Sequence, residues 1–129
     1  MWMEINFESE TPIYTQLVQA VMKGIAAGEL KAGDALPSVR SLAGDLGVNM
    51  LTVNKAYQQL KQEGFITIHR KKGAIIESAE ARAASEGQLQ RMAEKMYPIM
   101  LESICRGLTL EDFQRLSATV YHQISIEKE

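Results

Sequence analysis

Residues 36–58, LPSVRSLAGDLGVNMLTVNKAYQ, contain two apolar patterns of helical spacing on either side of Gly47. A glycine at this point suits the left-handed end of one helix, after which the chain reverses into the next. The inward positions of both patterns are apolar: Leu42, Ala43, Leu46, Val48, Val53 and Ala56. The spacing predicts a helix-turn-helix, which leaves the outer face of its second helix free to enter a DNA major groove.

Residues suited to helix ends mark the limits of these elements. Ser38 is a suitable N-cap for a helix over 38–46, and Asn49 for a helix over 50–63. An earlier helix starts after Pro12 and ends near Gly28. Its apolar residues recur every four positions: Ile13, Leu17, Val21 and Ile25.

Two short runs of β-forming residues, 65–68 and 74–76, lie on either side of the basic, glycine-containing segment 69–73. This pattern predicts a β-hairpin, and a hairpin after a helix-turn-helix makes a winged helix-turn-helix. We therefore assign residues 1–77 to a DNA-binding domain, with the helix-turn-helix at about 38–63 and the wing at about 65–77.

The remaining residues, 78–129, predict a two-helix tail with apolar stripes. Two helices alone do not bury two apolar faces, so we expect them to pack against a second copy of the chain. The expected dimerisation residues are Leu89, Met92, Met96, Ile99, Met100, Ile104, Leu110, Phe113, Leu116, Val120 and Ile124. A small-molecule pocket between the tail helices is the alternative. The fold class is thus mostly α, a winged helix-turn-helix with three helices and a hairpin, followed by a helical dimerisation segment.

Two residues of the tail carry expectations of their own. Pro98 lies inside the first stripe and predicts a kink or a break in that helix. Cys105 is the only cysteine, which excludes an intramolecular disulfide and a multi-cysteine metal site. Because free cysteines are mostly buried, we expect Cys105 to be buried or half-buried.

The net charge of −2 is unusual for a protein that binds nucleic acid, but the charge is unevenly distributed. Residues 49–72 contain five Lys or Arg residues and a single acid, Glu63. Such a basic patch attracts phosphates even on a neutral domain. No apolar run approaches the ~18 residues of a membrane span. The short acidic start is unlike a signal peptide, so we expect a cytoplasmic protein.

The second helix of the helix-turn-helix offers side chains that read bases. Its outer face carries Asn49, Met50, Leu51, Asn54, Lys55 and Gln58. Asn and Gln pair with adenine, Lys contacts guanine or phosphate, and Met or Leu contacts a thymine methyl group. An ordinary solvated helix face is the alternative.

Further candidates lie outside this helix. Arg40 reaches a phosphate or a base, or pairs with Asp45 at a spacing poorly suited to an ion pair. Tyr57 either packs its ring or offers its hydroxyl to a phosphate. In the wing, His69, Arg70, Lys71 and Lys72 contact phosphates or a minor groove, or else form a solvated charged turn.

Other classes of function find little support. The chain has no nucleophile–base pair, carboxylate pair, phosphate-binding glycine loop or metal cluster, so we expect no enzyme, no cofactor and no metal site. A winged helix that serves as a protein-interaction adaptor is the main alternative. An adaptor needs no basic face, and the charge of 49–72 speaks against it.

Residues 12–76 resemble the winged-helix domain of GntR-family bacterial transcription regulators. The matching elements are Pro12-Ile13-Tyr14 with Gln16, Gly28, Gly33-Asp34, Leu36-Pro37-Ser38 with Arg40, Leu42-Ala43, Leu46-Gly47-Val48, Thr52-Val53, Ala56-Tyr57, Leu60, Glu63-Gly64 and Gly73. The short tail is similar to that of the YtrA-type branch, which lacks the large ligand-binding domains of other branches. Many relatives carry Arg or Pro where this chain has Met50.

This resemblance implies a dimeric regulator that represses its own operon, often together with transporter genes. It also implies DNA contacts at Arg40, Asn49, Thr52, Lys55 and around Gly73. It implies no particular effector or operator sequence. The full set of expected DNA-binding residues is Ser38, Arg40, Asn49, Met50, Leu51, Thr52, Asn54, Lys55, Tyr57, His69, Arg70, Lys71, Lys72 and Gly73.

Overall fold

The computed structural model of the chain describes residues 3–127. Along them the elements are α1 (Ile13–Ala26), α2 (Val39–Leu46), α3 (Met50–Gln62), β1 (Ile66–His69), β2 (Gly73–Ile76), α4 (Ala79–Arg82), α5 (Glu86–Cys105) and α6 (Leu110–Glu127). The mostly helical winged helix-turn-helix with a helical tail is therefore confirmed. The short helix α4 is an addition to the predicted elements.

The caps of α2 and α3 lie where the sequence predicts them. Ser38 Oγ accepts from the backbone N–H of Ser41 at 3.0 Å, and Asn49 Oδ1 accepts from that of Leu51 at 2.7 Å. Gly47 closes α2 in the left-handed conformation, with φ of +69°. These local interactions satisfy the unpaired N–H and C=O groups of helix ends, which is why the predicted bounds agree within about one residue.

The core of the first unit lies between α1, α2, α3 and the hairpin. Its largest fully buried side chains are Leu17, Leu42, Leu60, Ile76, Val21 and Val53. Leu46 and Val48 are partly buried against this cluster. The predicted inward residues of the helix-turn-helix therefore all pack on the core side.

The N-terminal segment folds back onto α1 through Gln16. The side-chain amide of Gln16 accepts from Asn6 N at 2.8 Å and donates to Asn6 O and Thr11 O, each at 2.9 Å. This clamp accompanies the insertion of Met3, only 3% exposed, into the core cluster.

The wing is an antiparallel hairpin, in which Ile66 pairs with Ile76 and His69 with Gly73. The loop before α2 is hydrogen-bonded to β2. Leu36 N donates to Ala74 O at 2.8 Å, and Ile76 N donates to Asp34 O at 2.9 Å. Ala35 forms an isolated bridge with Ile75. The hairpin is thus joined by backbone hydrogen bonds to the loop that leads into α2.

The described chain divides into two units, one that extends to Arg82 and one that begins at Ala83. The division proposed from sequence falls after residue 77. The short α4 lies with the first unit, where Arg82 Nε donates to Glu77 O at 3.1 Å.

The second unit consists of α5, a turn at Gly107 and α6. A capping box between Ser85 and Gln88 starts α5, and reciprocal hydrogen bonds between Thr109 and Asp112 precede α6. The backbone hydrogen bond from the Thr109 N–H lowers the pKa of the Asp112 carboxyl, with the Thr109 hydroxyl adding to the effect. None of the helices within residues 3–127 has the length and apolarity needed to cross a membrane.

One expectation for this unit is wrong in part and another is wrong. Of the kink or break expected at Pro98, the break does not occur, because α5 is one continuous helix from Glu86 to Cys105. Cys105 is exposed rather than buried. Ser103 is the only described residue of α5 that is buried. Because a helix turns by roughly 100° per residue, Cys105 points away from Ser103.

Candidate nucleic-acid interface

The third helix has one buried side and one exposed side. Val53, Ala56, Tyr57 and Leu60 are buried in the core. The opposite side is exposed and carries Asn49, Met50, Leu51, Asn54, Lys55 and Gln58, whereas Thr52 is half-buried. The outer face predicted for α3 is therefore accessible along its whole length.

One of the two polar atoms of the Asn49 side-chain amide is already hydrogen-bonded within α3. Its Oδ1 caps α3, which leaves the side-chain NH2 group as the donor that remains for a phosphate or a base. The cap also fixes the amide in one orientation. Bidentate pairing with adenine needs both amide atoms, and such pairing competes with the cap.

Lys55 lies against an aromatic ring. Its Nζ is 3.9 Å from the centroid of the Tyr14 ring on α1, the geometry of a cation–π interaction. The contact holds the ammonium group beside the outer face of α3 while the side chain stays exposed. Tyr14 has no signal for this role in the sequence, because its partner is distant along the chain.

Tyr57 packs and does not offer a free hydroxyl. The side chain is 3% exposed, and its hydroxyl donates to the carbonyl of Pro37 at 2.7 Å. Burial raises the pKa of this hydroxyl to about 12. Of the two alternatives for Tyr57, this geometry favours packing, and the hydrogen bond holds α3 to the residue just before the N-cap of α2.

The start of α2 presents two of the expected contact residues. Ser38 and Arg40 are both exposed. Ser38 accepts from the helix backbone, so its own hydroxyl proton is available to a phosphate. In the described part of the chain Arg40 forms no ion pair with Asp45. The guanidinium group is accessible to an anion.

The wing tip is basic and exposed. Arg70, Lys71 and Lys72 extend from the hairpin turn, and residues 64–76 contain no acid. Gly73 has φ of +74°, a conformation that residues with a side chain rarely adopt. His69 is exposed and its Nε2 lies 2.8 Å from Thr67 Oγ1, within the same strand.

The tail helices expose the side chains that the sequence assigns to dimerisation. Nine of those eleven are exposed, whereas Met100 and Phe113 are partly buried.

An apolar cavity of about 170 Å³ lies at the α5–α6 turn, lined by Met100, Ser103, Ile104, Leu108, Thr109, Leu110 and Phe113. Ligand pockets are typically ~300–1,000 Å³, so this cavity is small for the alternative of an effector pocket.

A winged helix-turn-helix whose α3 has an open outer face beside a basic wing defines a class of DNA-binding protein. The family model "Bacterial regulatory proteins, gntR family" matches residues 13–76. A repressor of Bacillus subtilis (strain 168), HTH-type transcriptional repressor YtrA, is 35% identical over 108 residues, which are 84% of this chain and 83% of the repressor. The chain belongs to the GntR family, whose members are transcription regulators and not enzymes.

Two solved structures extend the likeness to the tail. A transcriptional antiterminator from Listeria monocytogenes EGD-e has a TM-score of 0.85 and 30% identity, over 96% of this chain and 92% of that chain. YtrA from Sulfolobus acidocaldarius, a GntR-family transcription factor, has a TM-score of 0.61 and 43% identity, over 76% and 99% of the two chains. The resemblance to YtrA-type regulators is therefore confirmed.

Proposed function

We propose that this protein is a dimeric repressor that binds a near-palindromic operator. Each protomer inserts α3 into one major groove and lays its wing on the neighbouring DNA. Because the two α3 helices of a two-fold dimer enter the major groove on the same side of the duplex, the half-sites are about one helical turn apart, ~10 bp, or a little more. The repressor of Bacillus subtilis at 35% identity supports repression as the direction of control.

The observation that carries this proposal is the two-sided nature of α3. One side is fully committed to the core through Val53, Ala56 and Leu60, each with no measurable exposure. The other side is open, with Lys55 on it and basic groups at the wing tip. Because the buried side of α3 is fully packed, the helix is held in one orientation. Its exposed side chains are then fixed in position, which base recognition requires.

The tail supports association of two copies. Along α5, Leu89, Met92, Met96 and Ile99 follow the alternating three- and four-residue spacing of a coiled-coil seam. All four are exposed. A contiguous apolar surface of this kind marks an interface in a water-soluble molecule. A second copy presents the same surface and closes the pair by two-fold symmetry.

We place the operator upstream of the protein's own gene and expect transporter genes in the same operon, as the family resemblance implies. The protein then acts in the cytoplasm, where bacterial chromosomal DNA lies. The cavity at the α5–α6 turn, about 170 Å³, is too small to hold a bulky effector.

Selection on DNA tests the proposal. The full-length protein is incubated with sheared genomic DNA and with a random-sequence duplex pool, and bound duplexes are sequenced over several rounds. We expect enrichment of an inverted repeat that also occurs upstream of its own gene. Sedimentation velocity of the complex should give two protomers per duplex.

The adaptor alternative makes the opposite forecast for the same experiment. A dimer that enriches no sequence from either pool would refute the repressor and favour the adaptor. Arg40→Ala serves as a matched variant, because the residue is exposed and outside the core. It should weaken binding to the enriched repeat without changing the sedimentation coefficient of the free protein.

A further inference from the structure

The first turn of α3 presents two adjacent apolar side chains to solvent. Leu51 is 76% exposed and Met50 is 45% exposed. A single exposed apolar residue is ordinary on a protein surface. These two, however, lie in the N-terminal turn of the helix whose N-terminal residues contact base edges when such a fold binds DNA.

Helix geometry gives the two side chains different positions. Because an α-helix turns by roughly 100° per residue, Leu51 lies in line with Lys55 and Gln58, opposite the buried Val53 and Leu60. Leu51 is thus at the centre of the exposed face. Met50 lies toward its edge, on the side of the helix that carries Tyr57, and is correspondingly less exposed.

Polar readout is weakened in this same turn. Asn49 directs its Oδ1 to the backbone N–H of Leu51, so pairing both amide atoms with adenine would break the cap of α3. Thr52 is half-buried. Met50 and Leu51 are therefore the exposed side chains of this turn that take no part in its cap.

Charge around the pair identifies the kind of partner. Residues 46–62 contain Lys55 and Lys61 and no acid, and α2 exposes Arg40 together with a single acid, Asp45. An apolar pair within a basic surface fits a polyanion that carries apolar groups. In a DNA major groove the apolar group is the C5-methyl of thymine.

We infer that Leu51, with Met50 beside it, reads the C5-methyl group of thymine in each operator half-site. The inference rests on the proposed function. It adds that the DNA sequence preference contributed by the first turn of α3 depends on contact with a thymine methyl group. Removal of one such methyl group from a half-site should weaken binding about fourfold, the effect of exposing one buried methyl-sized group.

Removal of one thymine methyl group at a time from the DNA tests the inference. A duplex enriched from the random pool is resynthesised with each thymine replaced in turn by uracil, which removes only the methyl group. Binding is measured by fluorescence anisotropy for the wild type, Leu51→Ala and Met22→Ala. Met22 is a matched control because it is 40% exposed and lies on α1.

We expect one or two thymines per half-site at which uracil weakens wild-type and Met22→Ala binding about fourfold. 5-Bromouracil, whose bromine is close to a methyl group in size, should restore that affinity. Leu51→Ala should bind the thymine and uracil duplexes equally at these positions, and Met50→Ala should reduce the difference less.

Two results would overturn the inference while leaving the proposed function intact. One is a selected duplex in which uracil has no effect at any thymine. The other is Leu51→Ala with an undiminished response to uracil. Failure to enrich any duplex would instead refute the proposed function, and the inference with it.

Discussion

The effect of Tyr57→Phe on the free energy of unfolding is expected to change with pH. Tyr57→Phe removes one oxygen atom and leaves the buried ring in place. The carbonyl of Pro37 then loses the hydroxyl that donates to it at 2.7 Å. A partly buried acceptor without its partner lowers the free energy of unfolding by about 1 kcal/mol at neutral pH.

Burial supplies the second part of the prediction. It raises the pKa of the Tyr57 hydroxyl from the usual value near 10 to about 12. The unfolded chain therefore loses this proton at a lower pH than the folded protein does. The stability linked to this raised pKa is complete below about pH 10 and is lost as the pH rises through about 12. By about pH 11 the wild type has lost about 1.3 kcal/mol of stability at this site alone, a loss that Tyr57→Phe escapes.

Urea unfolding followed by circular dichroism, at equal protomer concentration, measures both effects. At about pH 9 the wild type should be the more stable protein by about 1 kcal/mol, and by about pH 11 the difference should vanish or change sign. Subtracting the two proteins at each pH removes the contributions of the other tyrosines. A difference that stays constant from about pH 9 to about pH 11 would show that the hydroxyl ionises as it does in the unfolded chain. That result would refute its burial against Pro37.

Three further outcomes are expected. Lys55→Ala should weaken binding to the enriched duplex about tenfold in a gel-shift titration, because it removes an exposed cation from the outer face of α3, and unchanged affinity would count against the docking of α3. Replacement of Arg70 and Lys71 together by Ala should reduce the slope of log K against log salt by about 0.9 for each lost phosphate contact, so an unaltered slope would exclude the wing from the DNA backbone. Met96→Glu with Val120→Glu places charges in the apolar tail and should give a monomer in sedimentation velocity, whereas a persistent dimer would place the interface elsewhere.

The winged domain was predictable because its decisive interactions are local. Ser38, Gly47 and Asn49 set helix ends through hydrogen bonds and backbone conformations within three or four residues. The period of the apolar residues then fixes which face of α3 is buried. For the same reason the exposure of the outer face of α3, including Leu51, follows from the sequence.

Other features depend on contacts between distant residues and were not predictable. Met3 is in the core and Gln16 clamps the segment behind it through Asn6, ten positions away in sequence. The acceptor for the Tyr57 hydroxyl is twenty positions away, so the sequence left packing and phosphate contact as equal alternatives. Lys55 meets Tyr14 only because α1 and α3 pack together.

The tail shows a different failure of local reasoning. Cys105 was expected inside because cysteines are usually buried, an average that says nothing about the side of α5 on which it falls. Pro98 removes one backbone donor, which predicts a kink or a break, yet α5 continues on both sides of it without a break. A proline costs a helix stability without dictating where the helix ends.

Residues 33–38 have a consequence for genetics. This short segment hydrogen-bonds to β2. Its Pro37 carbonyl accepts a hydrogen bond from the Tyr57 hydroxyl, and its Ser38 caps α2. The wing, α2 and α3 therefore share one support, and a substitution there disturbs all three together. A random screen for mutants that have lost DNA binding should return substitutions at Leu36 and Pro37 as readily as at the exposed face of α3. Such mutants would resemble DNA-contact mutants in phenotype, and their lowered thermal stability would tell the two groups apart.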